Sequence, residues 1–351
     1  MRKLATIRRI DEIRAIPDAD AIMCAVIGGW TVVIRKDEFK VGDLAVYLEI
    51  DSWVPHELAP FLSKGKEPRE YEGVKGERLR TVRLRGQLSQ GLLLPITHEI
   101  EVGWSHTFFN FEGVRPMVEG DDLTDVLGIK KWEAPIPAEL AGNVAGLFPS
   151  YIPKTDQERI QNLTTEFYKS WTLNPLRWEV TEKLDGSSVT IFLNTEDHFG
   201  VCSRNWELLE SNTNSLWKVA READLETKLR DRKLHVALQG ELIGPGVQAN
   251  RYQLKKHGFY LFDVYNIDEK RYLNSFERVA LASDLGIEHV PVLGLRKFTT
   301  EDSVDKLLLE AEAKSKLNEA TEREGLVFKC VDDADLSFKA ISNKFLLRGG
   351  D

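Results

Sequence analysis

Cysteine is scarce in this 351-residue chain: Cys24, Cys202 and Cys330 are the three, and they lie far apart. An odd, scattered set supplies neither a disulfide framework nor the paired spacing of a zinc site. A reducing, intracellular setting is therefore expected, with the cytoplasm as the default location. Long apolar runs are missing as well, and none approaches the ~20 residues that span a bilayer. The opening stretch "MRKLATIRRIDEIR" is broken by charge and lacks the apolar centre of a secretory signal. No internal repeat or low-complexity tract is present. Nor is there an excess of positive charge: 47 Lys and Arg against 56 Asp and Glu give a net charge of −9. That argues against a general nucleic-acid sponge. It leaves room for a local basic surface, and for carboxylates gathered around a divalent metal.

What is present fits a soluble folded chain, with 42% hydrophobic and 29% charged residues and enough length for two cores. Residues 1–132 carry short apolar runs set off by turn signals. "AIMCAVI" and "WTVVI" flank Gly28-Gly29, a two-residue hairpin signal, and "DLAVYLEI", "RLRTVRLR" and "GLLLP" follow with no long helix between them. That spacing predicts a small β-barrel. Residues 133–153, "EAPIPAELAGNVAGLFPSYIP", are rich in Pro, Gly and Ala and lack a period, as a linker does.

Residues 154–351 alternate helices and strands. "TDQERIQNL" predicts a helix start, with Thr155 and Glu158 spaced as a capping box. Helices follow near 214–232, 275–285 (Ser275 as cap, Gly286 as stop) and 301–321. Strands are expected at 177–182, 188–194, 234–239, 258–265, 325–331 and 336–341, the last two forming a hairpin across "DDAD". The whole reads as α+β, with the second domain built on antiparallel sheets.

Within that second domain, "TEKLDGSS" (181–188) places Lys183 where one strand, "LRWEV", runs into a glycine turn before the next, "VTIFL". Val189, Ile191 and Leu193 share one face by period two. Taken alone, K-x-D-G is ordinarily a solvated turn. Further stretches change its weight. "CSRN" (202–205) puts Arg204 in a turn, and "QGELIGPG" (239–246) ends an apolar strand with Glu241. "YLFDV" (260–264) offers Phe262, while "EGLVFK" (324–329) and "LSFKAI" (336–341) put Glu324, Lys329 and Lys339 on one hairpin.

In order, spacing and wording these stretches resemble the covalent nucleotidyltransferases, that is, polynucleotide ligases and mRNA capping enzymes. The resemblance implies that Lys183 attacks the α-phosphate of ATP. A lysine must be neutral to attack, yet its reference pKa of about 10.4 leaves roughly one in a thousand neutral near pH 7. Recovering that deficit takes about three units, or ~4 kcal/mol. A divalent cation and flanking cations such as Lys339 push in that direction. The resemblance further implies that Asp185, Glu241 and Glu324 hold Mg²⁺ or Mn²⁺, directly or through its waters. Lys339, Lys329 and Arg204 would offset phosphate charge. Phe262 would stack on adenine, and Glu182 lies where the family contacts the purine. Ile341 stands where a second lysine often follows, so the phosphate partner stays open among Lys339, Lys329 and Lys344.

Ligases and capping enzymes usually carry an OB-fold domain after the last lysine strand. Here twelve residues (340–351) follow Lys339, and no such domain is expected. The β-rich module comes first instead. An N-terminal OB-like barrel followed by a nucleotidyltransferase domain, ATP-grasp-like in its antiparallel sheets, resembles the RNA ligase 5 family. "GPGVQANRY" after Glu241 is similar to the G-x-G-x-Q run of RNA ligases. The resemblance implies ATP-dependent sealing of RNA 3′-hydroxyl to 5′-phosphate ends or nicks through lysyl-AMP and AppRNA, in RNA repair. It implies a monomer whose partner is RNA, with no membrane, and ATP rather than NAD as donor, since no NAD-recognition module precedes the barrel. An ATP-dependent DNA ligase and a non-catalytic nucleic-acid-binding OB protein are the alternatives. The first is separated by comparing ribose with deoxyribose 3′ ends, the second by labelling with ATP.

The N-terminal barrel has its own basic run, "KGERLRTVRLRG" (75–86), with five basic residues against one acid. Strict alternation puts Arg78 and Arg80 on one face and Arg83 and Arg85 on the other. A one-residue bulge near Thr81–Val82 would align all four as a phosphate-binding stripe for RNA, with Leu79 and Leu84 buried opposite.

Overall fold

The computed structural model describes residues 3–96, 117–133 and 143–348, and the backbone of 108–110 and 113–115. Of the expected linker 133–153, positions 134–142 lie outside the described residues. The chain divides into two compact units, Met1–Pro135 with Leu346–Asp351, and Ile136–Phe345.

The first unit is built from short antiparallel strands. One sheet runs Ala5–Arg9, Leu44–Leu48, Leu92–Pro95; a second runs Glu12–Ala15, Ile22–Ile27, Trp30–Arg35. A third places Ser52–Pro55 between Lys130–Lys131 and Val74–Arg78, with Arg69–Tyr71 at the edge. Strand Leu44–Leu48 is buried on both faces: Val46 and Leu48 enter one apolar cluster, Ala45 and Tyr47 another. The Gly28-Gly29 hairpin forms as read, with Ile27 opposite Trp30 and Gly28 at φ +56°, a conformation that disfavours other residues.

The basic run folds differently from the bulged strand expected. Val74–Arg78 ends at Arg78, and a separate hairpin pairs Val82–Leu84 with Gln87–Ser89. Its turn is made by Arg85 and Gly86, both at positive φ (+49° and +81°). Leu79 is buried, but Leu84 is exposed, so alternation is broken between the two strands rather than reset by one bulge. Arg78 turns inward, with its side chain 7% exposed, 2.8 Å from Asp51 and stacked 3.7 Å from the Trp132 ring.

The second unit carries two mainly antiparallel sheets. The larger orders Val144–Leu147, Trp206–Leu208, Phe199–Cys202, Ser187–Leu193, Val236–Ile243, Gly258–Asn266 and Arg271–Tyr272. One face packs Val189, Ile191 and Leu193 with Leu238 and Leu242 against helices Ser215–Glu222, Leu225–Asp231 and Ser275–Leu285. The other face presents Ser188, Thr190, Gln239 and Glu241 by the period-two rule. The smaller sheet orders Glu158–Arg159, Ser337–Ile341, Gly325–Cys330, Trp178–Lys183 and Val292–Arg296. Its core is an aromatic pile of Trp171, Trp178, Phe298, Phe328 and Phe338, with ring centroids 4.7–6.1 Å apart among the last three.

The six strands expected in this unit form, and 325–330 pairs with 337–341 as a hairpin. Helices differ. Thr155 and Glu158 cap nothing: Glu158–Arg159 is drawn into parallel pairing with Phe338 and Lys339, and helical turns begin at Ile160. The helix near 214–232 breaks at Asp224, which sits at φ +50°. Helix Ser275–Leu285 is capped by Asn274 rather than Ser275, in a capping box with Glu277. Only Val304–Ala311 is helical within 301–321. The remainder has good helix formers, but its backbone groups find tertiary partners. Ser315 N donates to Thr321 O, Arg323 N to Ala313 O, and Lys316 N to the Glu182 carboxylate.

Candidate active site

Strand register assembles the site. Lys183, last residue of its strand, pairs with Gly325, which brings the preceding Glu324 beside it. Lys183 Nζ donates to Glu324 Oε2 at 2.8 Å. Neither glycine of this junction tolerates a side chain. A Cβ on Gly186 would lie 2.3 Å from Leu242 O, and one on Gly325 would lie 2.3 Å from Ala340 O. The chain therefore turns tightly after Asp185 and passes against the Glu241 strand. The backbone N–H of Gly186 serves the Glu241 carboxylate.

Three carboxylates thus surround one ammonium. Burial lowers the proton affinity of Lys183, but Glu324, Glu241 and Asp185 outweigh it and hold the group above the usual lysine range. Burial pushes Glu241 up to about 8, with Glu324 and Asp185 adding to the rise and Lys183 opposing it. Glu324 is raised for the same leading reason, burial. A cluster with this excess of buried negative charge favours a cation. Among the described residues no group of three metal-ligating side chains converges closely enough to hold an ion directly. Carboxylates of this kind suit a hydrated divalent ion, held directly or through its waters.

Asp185 is not free-standing. Its Oδ2 accepts from Arg251 at 2.5 Å, and its backbone N–H donates to the Tyr252 hydroxyl at 2.7 Å. Arg251 and Tyr252 lie in "GPGVQANRY", where sequence reading assigned no individual role. Glu182 is 1% exposed; one oxygen accepts from Lys316 N at 2.7 Å, and Oε1 has no partner among the described residues. An orphaned, buried acceptor suits an amino group. Phe262 is half-buried in an apolar patch with Leu184, Ile243, Tyr252, Val290 and Leu317.

The three candidate phosphate lysines occupy different settings. Lys339 is half-buried, opposite Val327 and alongside Arg159, and its charge is felt at Glu324. Lys344 is exposed and pairs with Glu312 at 3.3 Å. Lys329 is buried, 2.6 Å from Asp263, and it also donates to Phe262 O. Burial pushes it down to about 8. Asp263 belongs to a second ionic group that sequence reading missed, in which Arg278 grips Glu179 and His289. Arg204 is exposed and binds Asp156 at 2.9 Å. Of the N-terminal arginines, Arg80, Arg83 and Arg85 are exposed while Arg78 is engaged internally.

Residues 176–341 match the family model described as RNA ligase, and residues 4–96 match an OB-fold domain model. Among solved structures, an apo Asp-to-Ala mutant of Naegleria gruberi RNA ligase is 45% identical, with a TM-score of 0.86 over 98% of this chain and 97% of that one. This chain belongs to the RNA ligase family. The same Naegleria gruberi enzyme with PPi matches at 45% identity and TM-score 0.86, covering 99% of this chain and 98% of that chain. A Lys-to-Ala mutant of it with ATP and Mn matches at the same identity and score, covering 98% of each. Among curated proteins no match is found. The α+β reading, with an OB-fold domain ahead of an RNA ligase domain, holds. No helix among the described residues is long and apolar enough to cross a membrane.

Proposed function

We propose that Lys183 is the nucleophile of this ATP-dependent RNA ligase, taking AMP from ATP with loss of pyrophosphate and passing it to an RNA 5′-phosphate, from which the 3′-hydroxyl then displaces AMP to seal the ends. The observation that carries the reading is the ring of Glu324, Glu241 and Asp185 around the Lys183 ammonium, in a chain 45% identical to a ligase described with ATP and Mn.

The residues divide the work. Glu182 Oε1 accepts from the adenine amino group, and Phe262 lies against the purine. Asp185, Glu241 and Glu324 hold a hydrated Mg²⁺ or Mn²⁺, whose charge offsets theirs. With the carboxylates neutralised, burial is the main influence left on Lys183, and it favours the neutral amine that attacks. Lys339 faces phosphate, aided by Arg204. Lys329, tied to Asp263, positions Phe262 through its carbonyl. Arg80, Arg83 and Arg85 of the N-terminal unit grip RNA phosphates, whereas Arg78 is held by Asp51 and Trp132. The protein acts as a monomer on nicked duplex or RNA ends.

Incubation of purified protein with α-labelled ATP and Mn²⁺ tests the reading. Wild type takes up one label on Lys183, and Lys183→Ala takes up none. Labelling of the mutant, or none of wild type, rejects it.

A further inference from the structure

Segment 244–254 follows the Glu241 strand and reaches back to Asp185. Its backbone is held in a form that residues with side chains avoid: Gln248, Ala249 and Asn250 stand in succession at φ +42°, +52° and +46°, and Gln253 at +56°. Side-chain bonds fix that shape. Asn250 Oδ1 accepts from Leu254 N–H at 3.0 Å, Asn250 Nδ2 donates to Leu254 O at 2.9 Å, and Asn318 Nδ2 donates to Arg251 O at 3.1 Å. The product is two adjacent residues aimed at one target: the Tyr252 hydroxyl accepts from Asp185 N–H, and Arg251 Nη1 donates to Asp185 Oδ2 at 2.5 Å. The side chains of this ion pair are 17% and 18% exposed, so salt and water screen it little.

The two partners are not tied equally. Arg251 has further anchors: its Nη2 donates to Glu322 O at 3.3 Å, and the guanidinium lies 4.9 Å from the centre of the Phe345 ring. It keeps its place when Asp185 lets go. Asp185 Oδ1 takes no hydrogen bond from the described residues, and the carboxylate can change partners by turning about its own side-chain bonds. An arginine stays charged at any working pH. Fixed on Asp185, it does there what a bound cation would do, and it repels a second one. A triphosphate entering the site brings negative charge that reverses this balance.

We propose that Arg251 is the counter-cation of the empty site, a deepening that rests on the ligase reading above. With no nucleotide bound, Arg251 neutralises Asp185 and keeps the affinity of the cluster for a divalent ion low. With ATP bound, phosphate charge compensates the arginine. Asp185 then turns to the ion or its waters, while Arg251 stays on Glu322 O and Phe345. Divalent ion and ATP therefore bind together, each raising the affinity for the other. Arg251 is a positioning residue in this scheme, acting through Asp185.

Binding of Mn²⁺ alone, read from the electron paramagnetic resonance signal of the free ion, tests this on full-length protein stripped of AMP with pyrophosphate. Arg251→Gln keeps a donor for Glu322 O and loses the charge. It should bind Mn²⁺ about tenfold tighter than wild type or more, because a nearby like charge is gone. Arg251→Lys keeps the charge and should stay within about threefold of wild type. At saturating ATP the Mn²⁺ midpoint for AMP labelling should move by about twofold or less in either variant. Unchanged or weaker Mn²⁺ binding by Arg251→Gln, with native near-UV circular dichroism, would overturn the proposal. So would a wild type that binds Mn²⁺ without nucleotide as tightly as it does during labelling, a result that needs no variant. Failure of wild type to label with ATP would remove the ligase reading itself, and the proposal with it.

Discussion

Two ionic clusters sit on the same pair of sheets and contrast in one respect. Around Lys183, three carboxylates face two bonded cations, Lys183 and the Arg251 that serves Asp185. Around Lys329, two carboxylates, Glu179 and Asp263, face two cations, Arg278 and Lys329. The second cluster is balanced, and its four side chains are 2–12% exposed. The first has one carboxylate more than its bonded cations, and burial, with Glu324 and Asp185 adding to it, pushes Glu241 up to about 8. A balanced buried cluster holds architecture. An unbalanced one stores an electrostatic demand that a cation can meet. Both lysines come from stretches of the ligase-like pattern, so residue type alone does not separate them.

The contrast can be broken experimentally. The largest effect is expected at Lys183→Ala: AMP uptake should fall by roughly three orders of magnitude or more, while the urea midpoint stays near wild type. A variant that labels normally would show that imbalance does not mark the nucleophile. The balanced cluster should behave oppositely. Arg278→Met leaves Glu179 buried without its cation, which should cost about 3–5 kcal/mol of stability. Calorimetry showing an unchanged Tm would remove the structural role.

His289 sharpens the second cluster through pH. Arg278 Nε donates to its Nε2 at 3.0 Å, and Nδ1 lies 2.7 Å from Val290 O, so the ring is neutral with the proton on Nδ1. Burial, then the Arg278 charge, pushes its pKa down to about 4. The unfolded chain binds the proton more readily between that value and about 6.5, so this contribution is present above pH 6.5 and shrinks as pH falls. Roughly 2 kcal/mol should be lost between pH 7 and pH 5 from this residue. Urea melts of His289→Gln should show a correspondingly flatter pH slope; an unchanged slope would contradict the assignment.

The smallest effect expected is at Glu241→Gln. AMP uptake should fall about tenfold or more, with stability equal to or above wild type because an amide avoids the cost of burying an ionisable carboxyl. If uptake matches wild type across a Mn²⁺ titration, Glu241 has no part in holding the ion.

Much of this was legible in the residues, because it depends on local pattern. Period-two runs located the strands of the second unit, and the Gly28-Gly29 turn located a hairpin. The K-x-D-G, G-E and E-G stretches found the Lys183 cluster, since each glycine lies where backbone passes too close for a side chain. Misreadings fell where long-range pairing overrode local preference. Residues 312–321 have helix-forming side chains, yet Glu182 and neighbouring backbone capture their donors. Glu158 was taken by a strand partner some 180 residues away rather than by a helix.

By itself the sequence determined which residue types stand at strand ends and in what order, because apolar period and glycine placement act over a few neighbouring residues. It also determined the excess of acid over base. Which charges are paired was decided only in the folded chain. Lys329 and Lys339 read alike in sequence, but one is closed off by Asp263 and the other lies near Glu324. Arg78 and Arg83 stand in one basic run, but Asp51 and Trp132 claim the first while the second stays exposed. The physical reason is distance: the electrostatics of a buried group depend on whatever lies within a few ångströms, and those neighbours come from remote parts of the chain.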